Sequence, residues 1–456
     1  MSEVVLPEGW FTALLGDVCT KPQYGYTTRA SDNGDVKFLR TTDITKNTLN
    51  WETVPFCEVN PDNVDKYRLY DRDIVISRAG SIGFSCLLKN PPDNAVFASY
   101  LIRFQPADLM NEIFLKRFLE SSYYWEQLAE KAAGNAVQNV NAQKLANIEL
   151  FLPPLAEQKV IAEKLDELLA QVDILKTRLT TIPTLLKRFR QSVLAAAVSG
   201  KLTEEWREAK GLEWKWRELL LSDITSSVTY GYTASSTQNE VGPRMLRITD
   251  IQDGRVDWDN VPYCEIDEDR KDTYLLQKGD LVFARTGATV GKSFLIRDTP
   301  PDAVFASYLI RVRCNVGNSI EYLSYFFQSN NYWRQITEFS AGIGQPNVNG
   351  TKLKNLAIPL PPLEEQTEIV RRVEQLFAYA DQIEQQVKNA QNRVNNLTQS
   401  ILDKAFRGEL TADWRAANPH LISGENSAQA LLAKIKAERD KPKKISNKPC
   451  LTSKHQ

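Results

Sequence analysis

The stretch "AVFASYLIR" occurs at residues 95–103 and again, unchanged, at residues 303–311. It is too apolar to face solvent along its whole length, so most of it is predicted to form a buried strand, with Ser99, Tyr100 and Arg103 and their repeats open to another role. Burial alone would not require identical residues, because protein cores tolerate swaps that conserve volume. The repetition therefore indicates that a larger unit has been duplicated.

Further matches run along the chain at offsets of 206 to 208 positions. They are "YGYT" at 24–27 and 230–233, "LRTTDI" at 39–44 and "LRITDI" at 246–251, "VPFCEV" at 54–59 and "VPYCEI" at 261–266, "NVN" at 139–141 and 347–349, and "SGKLTEEWR" at 199–207 and "RGELTADWR" at 407–415. Each copy is the size of a domain, far longer than the repeat of a solenoid. The whole chain is therefore interpreted as a duplication.

Each copy divides into two parts. The first carries short runs of strand composition, such as "DIVISR" at 73–78, and one predicted helix around 111–131 with its repeat around 319–339. The second starts at "PPL", which fits the beginning of a long helix. We predict an α/β (α+β) fold with two similar globular domains separated by two long antiparallel coiled-coil helices. The predicted boundaries are 1–154 and 209–360 for the globular domains, 155–208 and 361–417 for the helical regions, and 418–456 for a basic, flexible tail.

Apolar residues alternate four and three positions apart along both helical regions. The first series is Ile161, Leu165, Leu168, Val172, Leu175, Leu179, Ile182, Leu186, Phe189 and Val193, and the second is Ile369, Val373, Leu376, Ala380, Ile383, Val387, Ala390, Val394, Leu397 and Ile401. This spacing is typical of a left-handed coiled coil, and Pro183 predicts a local kink. The same stripes would also suit helices that pack into a core or join two copies of the chain.

Composition narrows the classes of protein. The 456 residues are 42% hydrophobic and 25% charged, as in globular chains, and the six cysteines form no CxxC pair that would indicate a zinc site. The two histidines, His420 and His455, lie near the C-terminus, which argues against a histidine-based general base or metal cluster. No apolar run is long enough to span a bilayer, and "MSEVVLPEGWF" lacks the features of a signal peptide, so we expect a cytoplasmic protein.

One segment, "GATVGKS" at 287–293, is similar to a phosphate-binding loop. Its glycines are one residue too close for that motif, and the following "FLIRD" has the composition of a strand. The other copy reads "GSIGFS" and lacks the lysine. The segment is therefore only weak evidence for a nucleotide site.

An antiparallel pair of helices would hold the two similar modules in inverted orientation. Such modules could bind a DNA duplex with a split site, or a filament. The order of a module, "LPPLAEQKVIAEKLDELLAQVD", "LKRFRQSVLAAAVSGKLTEEWR", a second module, "LPPLEEQTEIVRRVEQLFAYAD" and "LTQSILDKAFRGELTADWR" resembles the specificity subunit of type I restriction–modification systems. The resemblance extends to about residue 417.

This resemblance implies two target-recognition domains, each reading one half of a split sequence in double-stranded DNA, and helices that set their spacing and dock two methyltransferase subunits. It implies that this chain is not catalytic and holds no cofactor. The methyltransferase subunits would bind S-adenosylmethionine, and two motor-nuclease subunits would use ATP and Mg. Two alternatives stay open: an enzyme acting alone, for which no catalytic constellation is found, and a coiled-coil scaffold that reads no sequence.

Neither globular domain is basic in bulk. Residues 1–154 carry 15 Lys and Arg against 19 Asp and Glu, and residues 209–360 carry 17 against 18. A protein that relied on phosphate attraction alone would be more basic. We therefore expect base contacts from local loops and much of the phosphate binding from the partner subunits. The basic tail would either touch DNA or remain solvated.

Base reading requires side chains with paired donors or acceptors on loops. The candidate DNA contacts in the first copy are Tyr24, Tyr26, Thr27, Arg40, Thr42, Arg78, Ser81, Gln138, Asn139 and Asn141. Those in the second copy are Tyr230, Tyr232, Thr233, Arg247, Thr249, Arg285, Thr286, Gln345, Asn347 and Asn349. Structural alternatives are a salt bridge to Asp43 or Asp73 for the arginines, half-buried packing for the tyrosines, and a turn or helix cap for "NVN".

The likeness of the two copies extends across these loops. We therefore expect the two half-sites to be similar sequences read on opposite strands. The loops that differ, notably "RAGSIGFS" against "RTGATVGKS" and "GNAVQNVN" against "GIGQPNVN", are where the halves would diverge.

Overall fold

The computed structural model describes residues 6–45, 49–132, 139–211, 216–252, 254–340 and 347–439. The chain divides into two compact units: a first unit of residues 1–178 with 390–456, and a second unit of residues 179–389. Each unit contains one copy of the globular part together with portions of both long helices. No helix in the described ranges is long and apolar enough to cross a membrane.

The strands of the globular parts are short. Those of the first unit are β1 (Phe11–Leu14), β2 (Gln23–Tyr24), β3 (Ala30–Ser31), β4 (Lys37–Leu39), β5 (Phe56–Cys57), β6 (Ile74–Ser77), β7 (Ser85–Leu87), β8 (Ala95–Phe97), β9 (Leu101–Phe104) and β10 (Glu149–Leu152). Those of the second unit are β11 (Arg217–Leu220), β12 (Thr225–Tyr230), β13 (Ser236–Thr237), β14 (Arg244–Leu246), β15 (Ile251–Gln252), β16 (Arg255–Val256), β17 (Tyr263–Cys264), β18 (Leu281–Ala284), β19 (Ser293–Leu295), β20 (Ala303–Phe305), β21 (Leu309–Cys314) and β22 (Ala357–Leu360).

The helices range from one turn to 44 residues. They are α1 (Thr41–Ile44), α2 (Val64–Tyr67), α3 (Glu112–Phe118), α4 (Ser122–Ala132), α5 (Ala142–Ala146), α6 (Leu155–Val198), α7 (Glu204–Lys210), α8 (Glu268–Tyr274), α9 (Ile320–Phe326), α10 (Asn330–Ser340), α11 (Gly350–Lys354), α12 (Leu363–Phe406), α13 (Ala412–Ala417) and α14 (Ala428–Arg439). The long helices α6 and α12 occupy the two regions where long helices were predicted, and α6 continues through Pro183.

The main sheets of both units have the same topology, and the second unit has an additional antiparallel β15-β16 pair. The first unit has two four-stranded sheets, ordered β2-β9-β6-β7 and β3-β5-β4-β8, and a β1-β10 pair; the second unit has the orders β12-β21-β18-β19 and β13-β17-β14-β20, and a β11-β22 pair. One pair in each unit is parallel, β4 with β8 and β14 with β20. The mixed helix and sheet content confirms the predicted fold class.

The repeated stretch "AVFASYLIR" forms two strands instead of the single strand predicted. In the first unit its residues 95–97 are β8, at the edge of one four-stranded sheet, and residues 101–103 lie in β9, inside the other. Most residues of both strands are buried, and residues 98–100 turn between them. The stretch therefore links the two sheets, and its repeat does the same in the second unit.

A glycine of "YGYT" lies directly against this turn in each unit. A Cβ atom on Gly25 would stand 2.3 Å from the carbonyl oxygen of Ala98, and one on Gly231 would stand 2.1 Å from that of Ala306. Real Cβ atoms do not approach a backbone oxygen so closely, so only glycine fits. The two repeated motifs are therefore parts of one structural feature.

Within each unit α6 and α12 run antiparallel. In the first unit Lys164 donates to the carbonyl of Leu410 (3.1 Å) and Lys176 to the hydroxyl of Thr398 (3.2 Å), so the partner moves back twelve positions as α6 advances twelve. Most of the predicted apolar series is buried or half-buried, although Leu175 is 42% exposed.

The second unit shows the same opposed register. Arg190 donates to Glu384 (2.8 Å), and Arg372 donates to the carbonyl of Leu202 (3.0 Å). The antiparallel pairing predicted from the apolar spacing is confirmed within both units.

A buried glutamate at the beginning of α6 joins three distant segments of the first unit. The Glu157 carboxylate, with no exposed surface, accepts hydrogen bonds from the Trp10 indole (2.8 Å), the Thr411 hydroxyl (2.6 Å) and the Arg415 guanidinium. We call these four residues the first glutamate cluster. It fastens the segment after α12 to the beginning of the chain.

The second unit contains an equivalent second glutamate cluster. Glu365, at the beginning of α12, accepts hydrogen bonds from Trp216 (3.1 Å), Thr203 (2.7 Å) and Arg207. The repeated "LTEEWR" and "LTADWR" segments supply the threonine and arginine of the two clusters. Their repetition thus has a structural cause.

The prediction of a flexible tail beginning at residue 418 does not hold for residues 419–439. Short helical turns lead into α14, whose residues Leu431 and Ile435 are buried. The amide of Ala428 donates to the carbonyl of Gly9 (3.1 Å), and Lys436 pairs with Asp17 (3.2 Å). The apolar residues of this helix outweigh the basic composition on which the prediction rested.

Candidate nucleic-acid interface

Four repeated segments of the first unit meet at one place. Backbone hydrogen bonds join Tyr26 to Phe97 (2.8 Å) and Ser99 to Tyr26 (2.8 Å), so the "YGYT" loop follows the turn of residues 98–100. The amide of Arg78, at the end of β6, donates to the carbonyl of Tyr100 (2.9 Å). The amide of Val140, in "NVN", donates in turn to the carbonyl of Arg78 (3.1 Å).

The side chains at this meeting point form a compact group, the first arginine–tyrosine cluster, made of Tyr24, Arg78 and Asn139. The guanidinium of Arg78 lies over the ring of Tyr24, 5.0 Å from its centroid, in a cation–π contact. Its Nε donates to the amide oxygen of Asn139 (3.3 Å). The Tyr24 hydroxyl accepts from the backbone amide of Ala142 (2.9 Å). Three residues proposed from the sequence are thereby brought together.

The second unit repeats this arrangement with one difference. Arg285 lies over Tyr230 at 5.1 Å, and the Tyr230 hydroxyl accepts from the amide of Gly350 (2.8 Å). We call Arg285 and Tyr230 the second arginine–tyrosine cluster. Among the described residues the buried Nε of Arg285 has no partner, and its Nη1 is 3.5 Å from the carbonyl of Ser307. The arginine that is tied to an asparagine in the first unit is less constrained in the second.

The other two candidate arginines make salt bridges. Arg40 donates to the carboxylate of Asp43 through Nε (3.1 Å) and Nη2 (3.0 Å). Arg247 donates to Asp250 through the same two atoms, at 3.1 and 2.7 Å. The hydrogen bonds to Asp250 raise the pKa of the Arg247 guanidinium. These pairs match the structural alternative considered for the arginines. Thr42 and Thr249, in the same segments, are exposed.

The asparagines of "NVN" divide between two roles. Asn141 caps α5 by accepting from the amide of Lys144 (2.8 Å), and Asn349 caps α11 in the same way (2.8 Å). Asn139 joins the first cluster, whereas the backbone of exposed Asn347 pairs with Thr286. The helix-cap alternative is thus confirmed for the last asparagine of each motif. Gln138 and Gln345 lie outside the described residues.

The remaining candidates are packed or exposed on the loops. Tyr26 packs against Tyr67, with ring centroids 5.4 Å apart, and Tyr232 packs against Tyr274 at 5.2 Å. Thr27 and Thr233 are exposed and Ser81 is half-buried.

Tyr100 and Tyr308, which the sequence left open to a role other than burial, were not among the candidate contacts and are 63% and 66% exposed. The sequence signal was the pair Ser-Tyr interrupting an apolar run, which marks the turn between β8 and β9. By contrast, Arg103, at the end of the same stretch, is structural: it lies over the ring of Phe97 at 5.5 Å and pairs with the buried Asp73 (3.5 Å).

The loop similar to a phosphate-binding motif does not have that structure. Residues Gly287–Thr289 form a single short turn, and the amide of Gly291 donates to the carbonyl of Ala284 (2.8 Å). Strand β19 follows where a phosphate loop would begin a helix. The described residues also contain no group of His, Cys, Asp or Glu side chains that could hold a metal ion.

Two copies of one mixed helix and sheet domain, each with the same arginine and tyrosine pair and each built onto paired long helices, define a tandem-domain protein. A model of the type I restriction modification DNA specificity domain matches residues 7–184 and 218–392. The chain belongs to this family of type I restriction–modification specificity subunits.

Individual relatives agree with this assignment. The EcoKI specificity subunit of Escherichia coli K12 is 39% identical, and the StySPI specificity subunit of Salmonella potsdam is 37% identical, each over 96% of this chain and 97% of the relative. The crystal structure of an HsdS subunit from Thermoanaerobacter tengcongensis superposes with a TM-score of 0.60 at 20% identity, covering 89% of this chain and 99% of that one. This structural likeness supports the fold.

Proposed function

We propose that each unit reads one half of a bipartite target in double-stranded DNA, and that the arginine–tyrosine clusters lie at the base edges. The observation that carries the proposal is the convergence of the same four repeated segments, with the same arginine over the same tyrosine, in both units. Family membership in DNA specificity subunits supports it.

The chemistry of the clusters suits base recognition. Arginine donates two parallel hydrogen bonds to guanine, and asparagine pairs with adenine through its amide. In the part of the chain that the structure describes, the Arg78 side chain donates a hydrogen bond through its Nε alone. Its two Nη groups can therefore donate to a base or a phosphate. The cation–π contact with Tyr24 holds the guanidinium in place and reduces the entropy lost on binding. The exposed Thr27 and Thr42, and their repeats, would contact DNA beside the clusters.

The near-neutral charge of both globular parts favours a division of labour with partner subunits. We propose that the paired helices dock two methyltransferase subunits, which would supply much of the phosphate binding and would carry S-adenosylmethionine. Two motor-nuclease subunits would use ATP and Mg in the full complex. This chain would act in the cytoplasm as the non-catalytic recognition subunit.

The two half-sites are proposed to be similar sequences on opposite strands. The support is the shared cluster geometry, while the asparagine of the first unit and the freer arginine of the second would make the halves diverge. A coiled-coil scaffold without sequence reading is the alternative that the following experiment separates.

The test is to map methylated adenines in cells that express the chain with its methyltransferase partner. Arg78→Ala and Arg285→Ala should each relax base preference in one half of the motif and leave the other half unchanged. Lys89→Ala, at an exposed site of the first unit, is the control and should leave the motif intact. An unchanged motif in both arginine variants, or one variant that alters both halves, would contradict the proposal.

A further inference from the structure

A large aromatic side chain projects from the same turn in both units. Tyr100 is 63% exposed and Tyr308 is 66% exposed, although each follows a strand whose residues are buried. Within the described part of the chain, neither phenol ring packs on another ring and neither hydroxyl has a hydrogen-bond partner. Packing therefore does not explain why a tyrosine stands at this position twice.

The turn that carries each tyrosine is held by several backbone hydrogen bonds. In the first unit Ala98 donates to Leu39 (2.9 Å), Leu101 donates to Ala98 (2.9 Å), and the carbonyl of Tyr100 accepts from Arg78 (2.9 Å). The second unit has the same bonds, including the one from Arg285 to Tyr308 (3.0 Å). Each ring is thus presented from a fixed backbone, one hydrogen bond away from the arginine of the adjacent cluster.

We propose that the rings of Tyr100 and Tyr308 contact the DNA duplex, one in each half of the target, and contribute affinity without selecting bases. This inference rests on the proposed function, because it places the turn against the same duplex. A tyrosine ring offers a large apolar contact while losing only two side-chain torsions, and such residues dominate the binding energy of many interfaces. A phenol carries a single hydroxyl and no paired donor and acceptor with which to select a base, which suits a contact that contributes affinity alone.

The experiment measures binding of the complex between the full chain and its methyltransferase subunit to a fluorescent duplex that carries the mapped target. Tyr100→Ala and Tyr308→Ala should each weaken binding at least about fivefold, the loss expected when an aromatic side chain that contributes binding energy at an interface is truncated. Tyr100→Phe should remain within threefold of the unaltered complex, because the ring carries the contact. Tyr70→Ala, another exposed tyrosine of the first unit, is the control and should bind normally.

A second measurement separates affinity from base selection. Duplexes with single-base changes should keep the same order of affinity in Tyr100→Ala, whereas Arg78→Ala should reorder them. Binding by Tyr100→Ala within twofold of normal, equal losses in Tyr100→Phe and Tyr100→Ala, or loss of the methyltransferase subunit in light scattering would each overturn the inference. Failure of the proposed function would appear differently, as equal binding of target and scrambled duplexes by the unaltered complex.

Discussion

Replacing Glu157 by glutamine should loosen the first unit while leaving the second unchanged. The carboxylate is fully buried and accepts three hydrogen bonds, one of them from Arg415, whose side chain is only 12% exposed. Glutamine retains the shape and can still accept from Trp10. It leaves the guanidinium of Arg415 largely buried without a counter-charge.

The magnitude follows from that uncompensated charge. Removing one partner of a buried ion pair costs about 3–5 kcal/mol. The slight exposure of Arg415 allows some hydration, so we expect a loss of about 3 kcal/mol in the free energy of opening the first unit. Because each 1.4 kcal/mol is a factor of ten, protected amides there should exchange about 100-fold faster.

Hydrogen exchange with peptide resolution is the suitable assay, because it reports on the two units separately. Peptides covering residues 6–20 should lose protection in Glu157→Gln, and those covering 216–230 should lose it in Glu365→Gln. Glu163→Gln, at an exposed position on the same helix, is the matched control. Equal protection in Glu157→Gln and Glu163→Gln would refute the reasoning.

Three other predictions concern packing and buried charge. Gly25→Ala and Gly231→Ala should each lower the free energy of unfolding by more than about 2 kcal/mol, since a Cβ would stand 2.3 or 2.1 Å from a carbonyl oxygen; unchanged thermal unfolding would exclude the close approach. Burial raises the pKa of Asp73 to about 6, so the native state binds its proton more tightly than the unfolded chain does. The contribution of this proton to the free energy of unfolding is fully present below about pH 4 and is lost, by about 3 kcal/mol, as pH rises past 6. Asp73→Asn should remove this pH dependence in thermal unfolding measured across that range. Asp280→Asn should instead cost about 2 kcal/mol at pH 7, because it removes the counter-charge 2.7 Å from Arg313, whose side chain is 29% exposed; equal melting of the two asparagine variants at that pH would contradict the assignment.

The features predicted correctly from sequence were those encoded by local spacing. Alternating apolar positions such as Ile161 and Leu165 determine which helix faces are buried, and two such stripes in one chain led to the prediction that the helices pair. Asparagine before a short helix was recognised as a cap alternative at Asn141, because the capping hydrogen bond spans three residues.

Features that depend on distant contacts were missed. Nothing near Glu157 in sequence indicates that it would be buried, since its partners lie 147 to 258 positions away. The strand prediction for residues 95–103 was right about burial but wrong about the number of strands, because local composition does not show when a chain passes from one sheet to another. The packing of α14 against the rest of the first unit could not be predicted for the same reason, because it depends on contacts that are distant in sequence.

The candidate interface was predicted in part. Sequence repetition identified the segments that meet, and Tyr24, Arg78 and Asn139 were found together. Repetition did not distinguish an arginine held by a neighbouring aspartate, such as Arg40, from one stacked on a tyrosine, because that choice depends on side-chain geometry.

The most direct test of the central claim is to compare methylated adenines across the genome in cells with this chain and its methyltransferase partner and in cells lacking this chain alone. We predict a split motif that disappears with the chain and whose two halves resemble each other when one is read on the opposite strand. Unchanged adenine methylation, or a motif that is not divided in two, would contradict it.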